Sequence, residues 1–376
     1  MPTTHTIEPR LLLGPGPSPV HDRILAALAQ PTLGHLDPQF LAVMDEVNEG
    51  LRKVFGTKNR MTFPISGTGS AAMEAALANV IEPDDRVIIG VNGVFGGRMV
   101  EMAKRMGARV VTVDAEWGRV IPTERLLAAL AEHPDARVLA VVQAETSTGA
   151  WQPLEEIGAA VARTETLFLV DTVTGLAGIP VEVDKVGIDV CYSGTQKCLG
   201  VPPGLGPITF SEKALRRVGI RKTPCQSWYF DVTQLATYLI PGYQGEERRY
   251  HHTAPINMVY ALREGLRMVE EEGLEARWRR HADIGARLQR ALVERGFELF
   301  SQDGHRLPQL TAASLPGGRA EAPLRSALLE KHGIEVGGGL GPAKGKIWRI
   351  GMMGWGARVA VVEQLLEAID DLIPRS

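Results

Sequence analysis

Short, nearly continuous apolar runs recur through the first half of the chain, and a longer stretch with helical spacing follows each one. The runs are Arg86–Val91, Arg109–Asp114, 137–143 and Leu167–Asp171. They are rich in β-branched residues and lack in–out alternation, as expected of strands covered on both faces. Between or beside them, residues 70–80, 97–106, 123–132 and 153–163 read as helices. Thr123 stands at an N-cap position, and Pro153 with two acids opens the last of the four. Strand–helix alternation of this kind predicts an α/β fold built on a mostly parallel, doubly wound sheet. Past Pro255 the pattern changes. Residues 257–295 predict one or two long helices, broken near Gly273. The tail mixes short strands (297–300, 311–315, 347–351) with helices (321–332, 359–373), the pattern of a smaller α+β domain beginning near residue 270.

In open α/β sheets, ligands bind beyond the carboxyl ends of the strands, so the residues there are the candidate site. After 137–143 comes Glu145-Thr-Ser-Thr-Gly149. The run Leu167–Asp171 ends in an acid, and residues 189–192 lead into Ser193-Gly-Thr-Gln-Lys197. Ser66-Gly-Thr-Gly-Ser70 lies ahead of the first helix of the alternating region, where free N–H groups and the helix dipole favour a phosphate. It also fits G-x-G-x-x-A through Gly67, Gly69 and Ala72. A dinucleotide site needs an acid at the end of the next strand, and that strand ends Gly90-Val-Asn92, which argues against a nicotinamide cofactor. Asp171 reads as the partner of a cation or as a helix N-cap. Lys197 reads as a surface lysine or as a Schiff-base lysine, whose nucleophilicity rises when burial lowers its pKa.

Composition removes other classes. Lys and Arg total 41 against 44 Asp and Glu, a net charge of −3, so no phosphate-neutralising nucleic-acid surface and no polybasic membrane patch is expected. The uncharged run 198–211 is too short to span a bilayer, and residues 1–10 lack the apolar core of a signal peptide. Cys191, Cys198 and Cys225 form no CxxC pair and read as small hydrophobes in a reducing, cytoplasmic compartment. His251 and His252 are adjacent, so in an extended segment their side chains would point to opposite faces; no metal site is expected.

Taken in order, Ile65-Ser-Gly-Thr-Gly-Ser70, Glu145-Thr-Ser-Thr-Gly149, Val170-Asp171 and Tyr192-Ser-Gly-Thr-Gln-Lys197 resemble the class V aminotransferases of pyridoxal-phosphate fold type I. They are most similar to the branch using alanine or serine with glyoxylate or pyruvate. Leu11-Leu-Leu-Gly-Pro-Gly-Pro17, Val91-Asn-Gly-Val-Phe-Gly96, Tyr250-His-His-Thr253 and Trp348-Arg-Ile-Gly351 extend the resemblance over nearly the whole chain.

The resemblance implies an N-terminal arm (1–20), a large cofactor-binding domain with a mostly parallel seven-stranded sheet (21–270) and a small C-terminal domain (271–376). The implied cofactor is pyridoxal 5′-phosphate. Lys197 would hold it covalently and move the proton, and Asp171 would face the ring nitrogen. Phe95, where the family often has Trp, would stack on the ring. Thr68, Gly69, Ser70 and Gln196 would hold the phosphate, and Thr146 would bond near the ring hydroxyl. Tyr250 and Thr253 would reach the neighbouring subunit's phosphate, which implies a homodimer with its active site at the interface. Arg349 would clamp the substrate carboxylate, and Gly14 and Gly16 would let the backbone approach the substrate. The implied reaction moves the amino group of a small L-amino acid, alanine or serine, to glyoxylate. The alternative donor is (S)-ureidoglycine. His35 and Tyr250 stand where enzymes for that donor tend to carry amide side chains.

Overall fold

A computed structural model describes residues 7–373; residues 1–6 of the expected arm and 374–376 lie outside the described residues. The large sheet holds seven strands: β1 (Met61–Ser66), β2 (Arg86–Val91), β3 (Arg109–Asp114), β4 (Val138–Val142), β5 (Leu167–Asp171), β6 (Val190–Tyr192) and β7 (Leu205–Phe210). Their spatial order is β1-β7-β6-β5-β4-β2-β3, and only β7 runs antiparallel to its neighbours. The helices Pro38–Phe55, Gly69–Val80 and Val94–Arg105 pack against this sheet, and together they bury one continuous hydrophobic core. The cause is the sequence pattern: β4 and β5 are apolar from end to end up to Asp171, and both are buried along their whole length.

Parallel pairing aligns the strand ends. The Thr172 hydroxyl donates to Gln143 Oε1 at 2.7 Å, and Ser193 Oγ donates to the Thr172 carbonyl at 3.2 Å. Beyond β1, Gly69 and Gly194 approach so closely that a Cβ on either would lie 3.4–3.6 Å from the other's Cα. The four polar clusters therefore share one edge of the sheet.

A second core lies under a four-stranded sheet made of β8 (Glu298–Leu299), β9 (Leu310–Ser314), β10 (Gly337–Gly338) and β11 (Ile347–Gly351), ordered β8-β9-β11-β10. Helix Ile256–Glu272 ends at Gly273 (φ +81°) and helix Leu274–Val293 begins there, the break expected at that glycine. The N-terminal arm joins the two cores. Leu11–Leu12 pairs in parallel with Ile334–Glu335, and the Gly351 N–H donates to the Leu13 carbonyl at 2.8 Å. The arm then turns across the large sheet, where the Ser18 N–H and hydroxyl donate to the carbonyls of Gln196 and Lys197.

Two local expectations change. Helix Thr123–Glu132 is preceded by Pro122 as its cap, and Thr123 makes no capping bond. His251 and His252 do not face apart: the chain bends at His252, and their Nδ1 atoms lie 2.9 Å apart in a hydrogen bond.

Helix Leu274–Val293 carries Gly285 where a Cβ would lie 2.2 Å from the Pro308 carbonyl oxygen. Alanine normally favours a helix by ~1 kcal/mol over glycine. Here Gly285→Ala is expected to destabilise by about 1–3 kcal/mol because backbone blocks the methyl. A lower thermal midpoint checks this; an unchanged or higher one contradicts it.

Candidate active site

Asp171 ends β5, opposite Tyr192 of β6 in the parallel register. That register brings the Tyr192 hydroxyl to Asp171 Oδ2 at 2.9 Å, while the Val173 N–H donates to Oδ1 at 2.8 Å. The Asp171 side chain is buried and has no ion-pair partner within 4 Å among the described residues. Loss of water outweighs its two donors and lifts its carboxyl to about 7, with a smaller push from Glu145. The Tyr192 phenol is pushed well above its usual value by burial and by that carboxylate. No helix follows Asp171, so its bond to the Val173 N–H closes a turn rather than capping a helix, and the carboxylate is left buried with no ion-pair partner among the described residues.

Lys197 follows β6 and is 8% exposed. Its Nζ donates to the Pro15 carbonyl of the arm. Burial, then the nearby Arg349 guanidinium, bring its amine down to about 8; Asp171 acts in the opposite direction. Gly16 (φ +113°) passes so close that a Cβ there would lie 2.7 Å from Nζ. Any side chain at this position would displace the amine, and its left-handed backbone also favours glycine. The close approach expected of Gly16 is thus an approach to the lysine. Cys198, next in sequence, is buried among apolar neighbours and lifted to about 12 by loss of water, so its thiol stays protonated.

Arg349 sits in β11, which pairs with Ala312 and Gly337. It is 7% exposed, donates to the carbonyls of Gly338 (2.8 Å) and Thr146 (3.3 Å), and has no carboxylate partner within 4 Å among the described residues. A buried guanidinium bonded only to carbonyls keeps its charge unneutralised, a condition suited to an incoming carboxylate. Glu145 lies in its field but is spoken for. It accepts from the N–H groups of Phe95, Gly96 and Ser147 at 3.0–3.4 Å and from the Ser147 hydroxyl at 2.5 Å. Burial raises its pKa, and Gly93 is required beside it, because a Cβ there would lie 2.4 Å from the carboxylate.

Thr68 caps helix Gly69–Val80 without a side-chain bond, leaving its hydroxyl exposed. Ala71 and Ala72 N–H both donate to the Thr68 carbonyl, so the N–H groups of Gly69 and Ser70 precede the helical ladder. Gln196 has its side-chain oxygen buried with no partner, close to Gly194. Phe95 lies within helix Val94–Arg105, which begins three residues earlier than the spacing suggested. Thr146 is buried, with its carbonyl on Arg349. Tyr250 and Thr253 remain on the outer surface. Tyr250 is 56% exposed with its ring 4.8 Å from that of His35. Beside them, His252 bonds Ser66 Oγ at 2.7 Å, and Trp228 stacks on His251 at 4.4 Å.

The sequence reading gave no role to Tyr192, Glu145 or Arg98. The first two lie inside quoted motifs. Arg98 lies one turn after Phe95, and its Nη1 donates to Ser70 Oγ at 2.9 Å. Among the described residues, no group of three His, Cys, Asp or Glu side chains is placed to hold a metal, and no helix is long and apolar enough to cross a membrane.

This geometry has close counterparts. The family model described as aminotransferase class-V matches residues 22–356. Alanine–glyoxylate aminotransferase of Rattus norvegicus is 40% identical over 369 residues, covering 98% of this chain and 88% of its own. (S)-ureidoglycine–glyoxylate transaminase of Bacillus subtilis is also 40% identical, covering 97% and 91%. The crystal structure of alanine–glyoxylate aminotransferase from Nostoc superposes with a TM-score of 0.95 at 46% identity, covering 99% of this chain and 97% of that one. The chain belongs to the class-V aminotransferase family.

Proposed function

We propose that this protein is a pyridoxal 5′-phosphate-dependent aminotransferase that passes the amino group of a small L-amino acid, alanine or serine, to glyoxylate. The products are glycine and the corresponding 2-oxo acid. The observation that carries the reading is the buried trio of Asp171 and Lys197, at one edge of the large sheet, and Arg349, which reaches them from the second sheet; Asp171 and Arg349 are both within electrostatic reach of Lys197.

The residues fit the cofactor. The partnerless amide oxygen of Gln196 marks a polar group awaiting a ligand, and a half-turn of the amide offers its NH₂ instead. The N–H groups opening helix Gly69–Val80 suit a phosphate, and Gly69 keeps the cradle open, since a Cβ there would meet Val173 at 3.1 Å. Thr68, Gly69, Ser70 and Gln196 would hold the phosphate, Phe95 the ring face, Thr146 the ring hydroxyl and Asp171 the ring nitrogen. Once bound, pyridoxal 5′-phosphate supplies a cationic ring that draws electrons from the donor's Cα.

The chain's own groups do the rest. Lys197, with a pKa near 8, is partly neutral at physiological pH, so Nζ can attack a carbonyl and can take and return a proton. Arg349 binds the carboxylate shared by amino donor and glyoxylate, which orients both for the same proton transfer. Tyr192 and Val173 keep the Asp171 carboxylate aimed and partly ionised despite its burial. Tyr250 and Thr253, exposed in the single chain, would complete the phosphate site of a second copy, which makes the working unit a homodimer. Residues 21–270 and 271–376 would act as its large and small domains. Three free thiols, two of them buried, suit a cytoplasmic setting.

A second reading, with (S)-ureidoglycine as donor, draws support from the equal identity to the Bacillus subtilis enzyme. Against it, His35 and Tyr250 place an imidazole against a phenol where that donor calls for amides. A donor screen at fixed glyoxylate decides: alanine or serine should exceed ureidoglycine in kcat/KM, and the reverse order overturns the assignment. In the same assay Arg349→Lys, which loses the bidentate fork, should raise KM for donor and glyoxylate by roughly 10- to 100-fold. An unchanged KM would remove Arg349 from the carboxylate site.

Asp171 also predicts a pH signature of the cofactor-free protein. Its carboxyl titrates near 7 when folded and near 3.8 when unfolded, so between those values the folded state holds the extra proton. Stability therefore falls as pH rises through that window. Asp171→Asn removes the dependence, so its thermal midpoint relative to wild type should be higher at pH 8 than at pH 5. An equal difference at both pH values contradicts the burial effect.

A further inference from the structure

Arg98 is half-buried on helix Val94–Arg105, yet forms no ion pair among the described residues; Arg105, seven residues on, pairs with Glu101. Its Nη1 donates to Ser70 Oγ at 2.9 Å, and its guanidinium carbon lies 4.8 Å from the centre of the Phe95 ring. Arg98 thus touches one residue from each end of the proposed cofactor site, the phosphate cradle and the ring platform. An unneutralised cation is a cost in a half-buried place unless an anion arrives there.

The hydrogen-bond arithmetic at Ser70 gives the direction. A guanidinium only donates, so the Ser70 hydroxyl accepts from Arg98 and keeps its own proton free for a second partner. Ser70 stands in the first turn of helix Gly69–Val80, beside N–H groups that precede the helical ladder. A dianion seated there would receive the Ser70 O–H, the backbone N–H groups and the field of Arg98 behind them. The Phe95 face toward Arg98 is taken by the guanidinium, which leaves the other face for a ring.

We infer that Arg98 is a positioning residue that acts through Ser70 to make this cradle select a phosphorylated cofactor over the same ring lacking its phosphate. The inference rests on the cofactor reading above, and the test separates the two.

Cofactor-free enzyme would be titrated with pyridoxal 5′-phosphate and with pyridoxal, following quenching of protein fluorescence. Arg98→Gln should weaken binding of the phosphorylated ligand by roughly 10- to 100-fold, the range of one charge-assisted hydrogen bond. Binding of pyridoxal should stay within about twofold of wild type, because Arg98 does not hold the ring's reactive groups. Ser70→Ala should likewise lower the ratio of pyridoxal 5′-phosphate affinity to pyridoxal affinity, and adding Arg98→Gln to it should lower that ratio by less than the two single effects multiplied. Inorganic phosphate should raise the thermal midpoint of the wild-type apoenzyme and lose that effect in Arg98→Gln. Equal weakening of both ligands would make Arg98 a merely structural residue and overturn the inference, as would an unchanged ratio in Arg98→Gln and Ser70→Ala. If wild type binds neither ligand saturably, the cofactor reading itself fails; if it binds pyridoxal 5′-phosphate with Lys197 and the ratio does not move, only this inference fails.

Discussion

Removal of water from the Lys197 amine is the constraint on which the site depends. An ammonium buried to this degree is disfavoured unless paired, and its partners here are a backbone carbonyl and a distant carboxylate, with a guanidinium opposing them. The result is an amine poised near neutrality. Every nearby feature preserves that condition. Gly16 leaves room for the side chain, the arm lays the Pro15 carbonyl over it, and Ser18 pins the Gln196 and Lys197 carbonyls. The arm is also paired to the second core through Leu11–Leu13, so the two halves of the molecule meet at the lysine.

The carboxylates divide the electrostatic work. Glu145 has four donors and serves as an anchor that fixes the start of helix Val94–Arg105 and hence Phe95. Asp171 has two donors and is left facing the lysine, raised toward neutrality by its burial. Arg349 is the complementary case, a buried cation held only by carbonyls. Such groups weaken the empty protein and gain from a ligand of opposite charge, as expected where function takes precedence over stability.

Much of this was legible in the chain. Strands β2, β3 and β5 end where their apolar runs end, so Asp171 could be read as a strand-end residue, and Lys197 as part of the loop that follows 189–192. Strands β1 and β7 were not read, and the reason is physical. Each carries a proline, Pro64 and Pro207, which face one another in the antiparallel register. A proline weakens the strand signal of an apolar run; β1 is an edge strand, where Pro64 is tolerated, while β7 is flanked on both sides, so there tertiary pairing overrides the signal of Pro207. Helix Pro38–Phe55 bears its own marks, Asp37 and Pro38 at its start and Gly56 (φ +67°) at its end, and was legible though unread. The contacts of Tyr192 with Asp171 and of Arg98 with Ser70 join separate elements. Their pairing follows from strand register and helix packing, which no local spacing encodes. The His251–His252 bond escaped for a similar reason: the bend at His252 turns two rings that an extended chain would have set apart.

The central claim is that one amine, that of Lys197, carries the carbonyl chemistry. Borohydride reduction of the pyridoxal 5′-phosphate-loaded enzyme, with peptide mapping by mass spectrometry, tests it most directly. The account predicts the reduced pyridoxyl group on the peptide containing Lys197 and none on the peptide in the Lys197→Ala variant. Label on another lysine, or trapping that persists in Lys197→Ala, would contradict it.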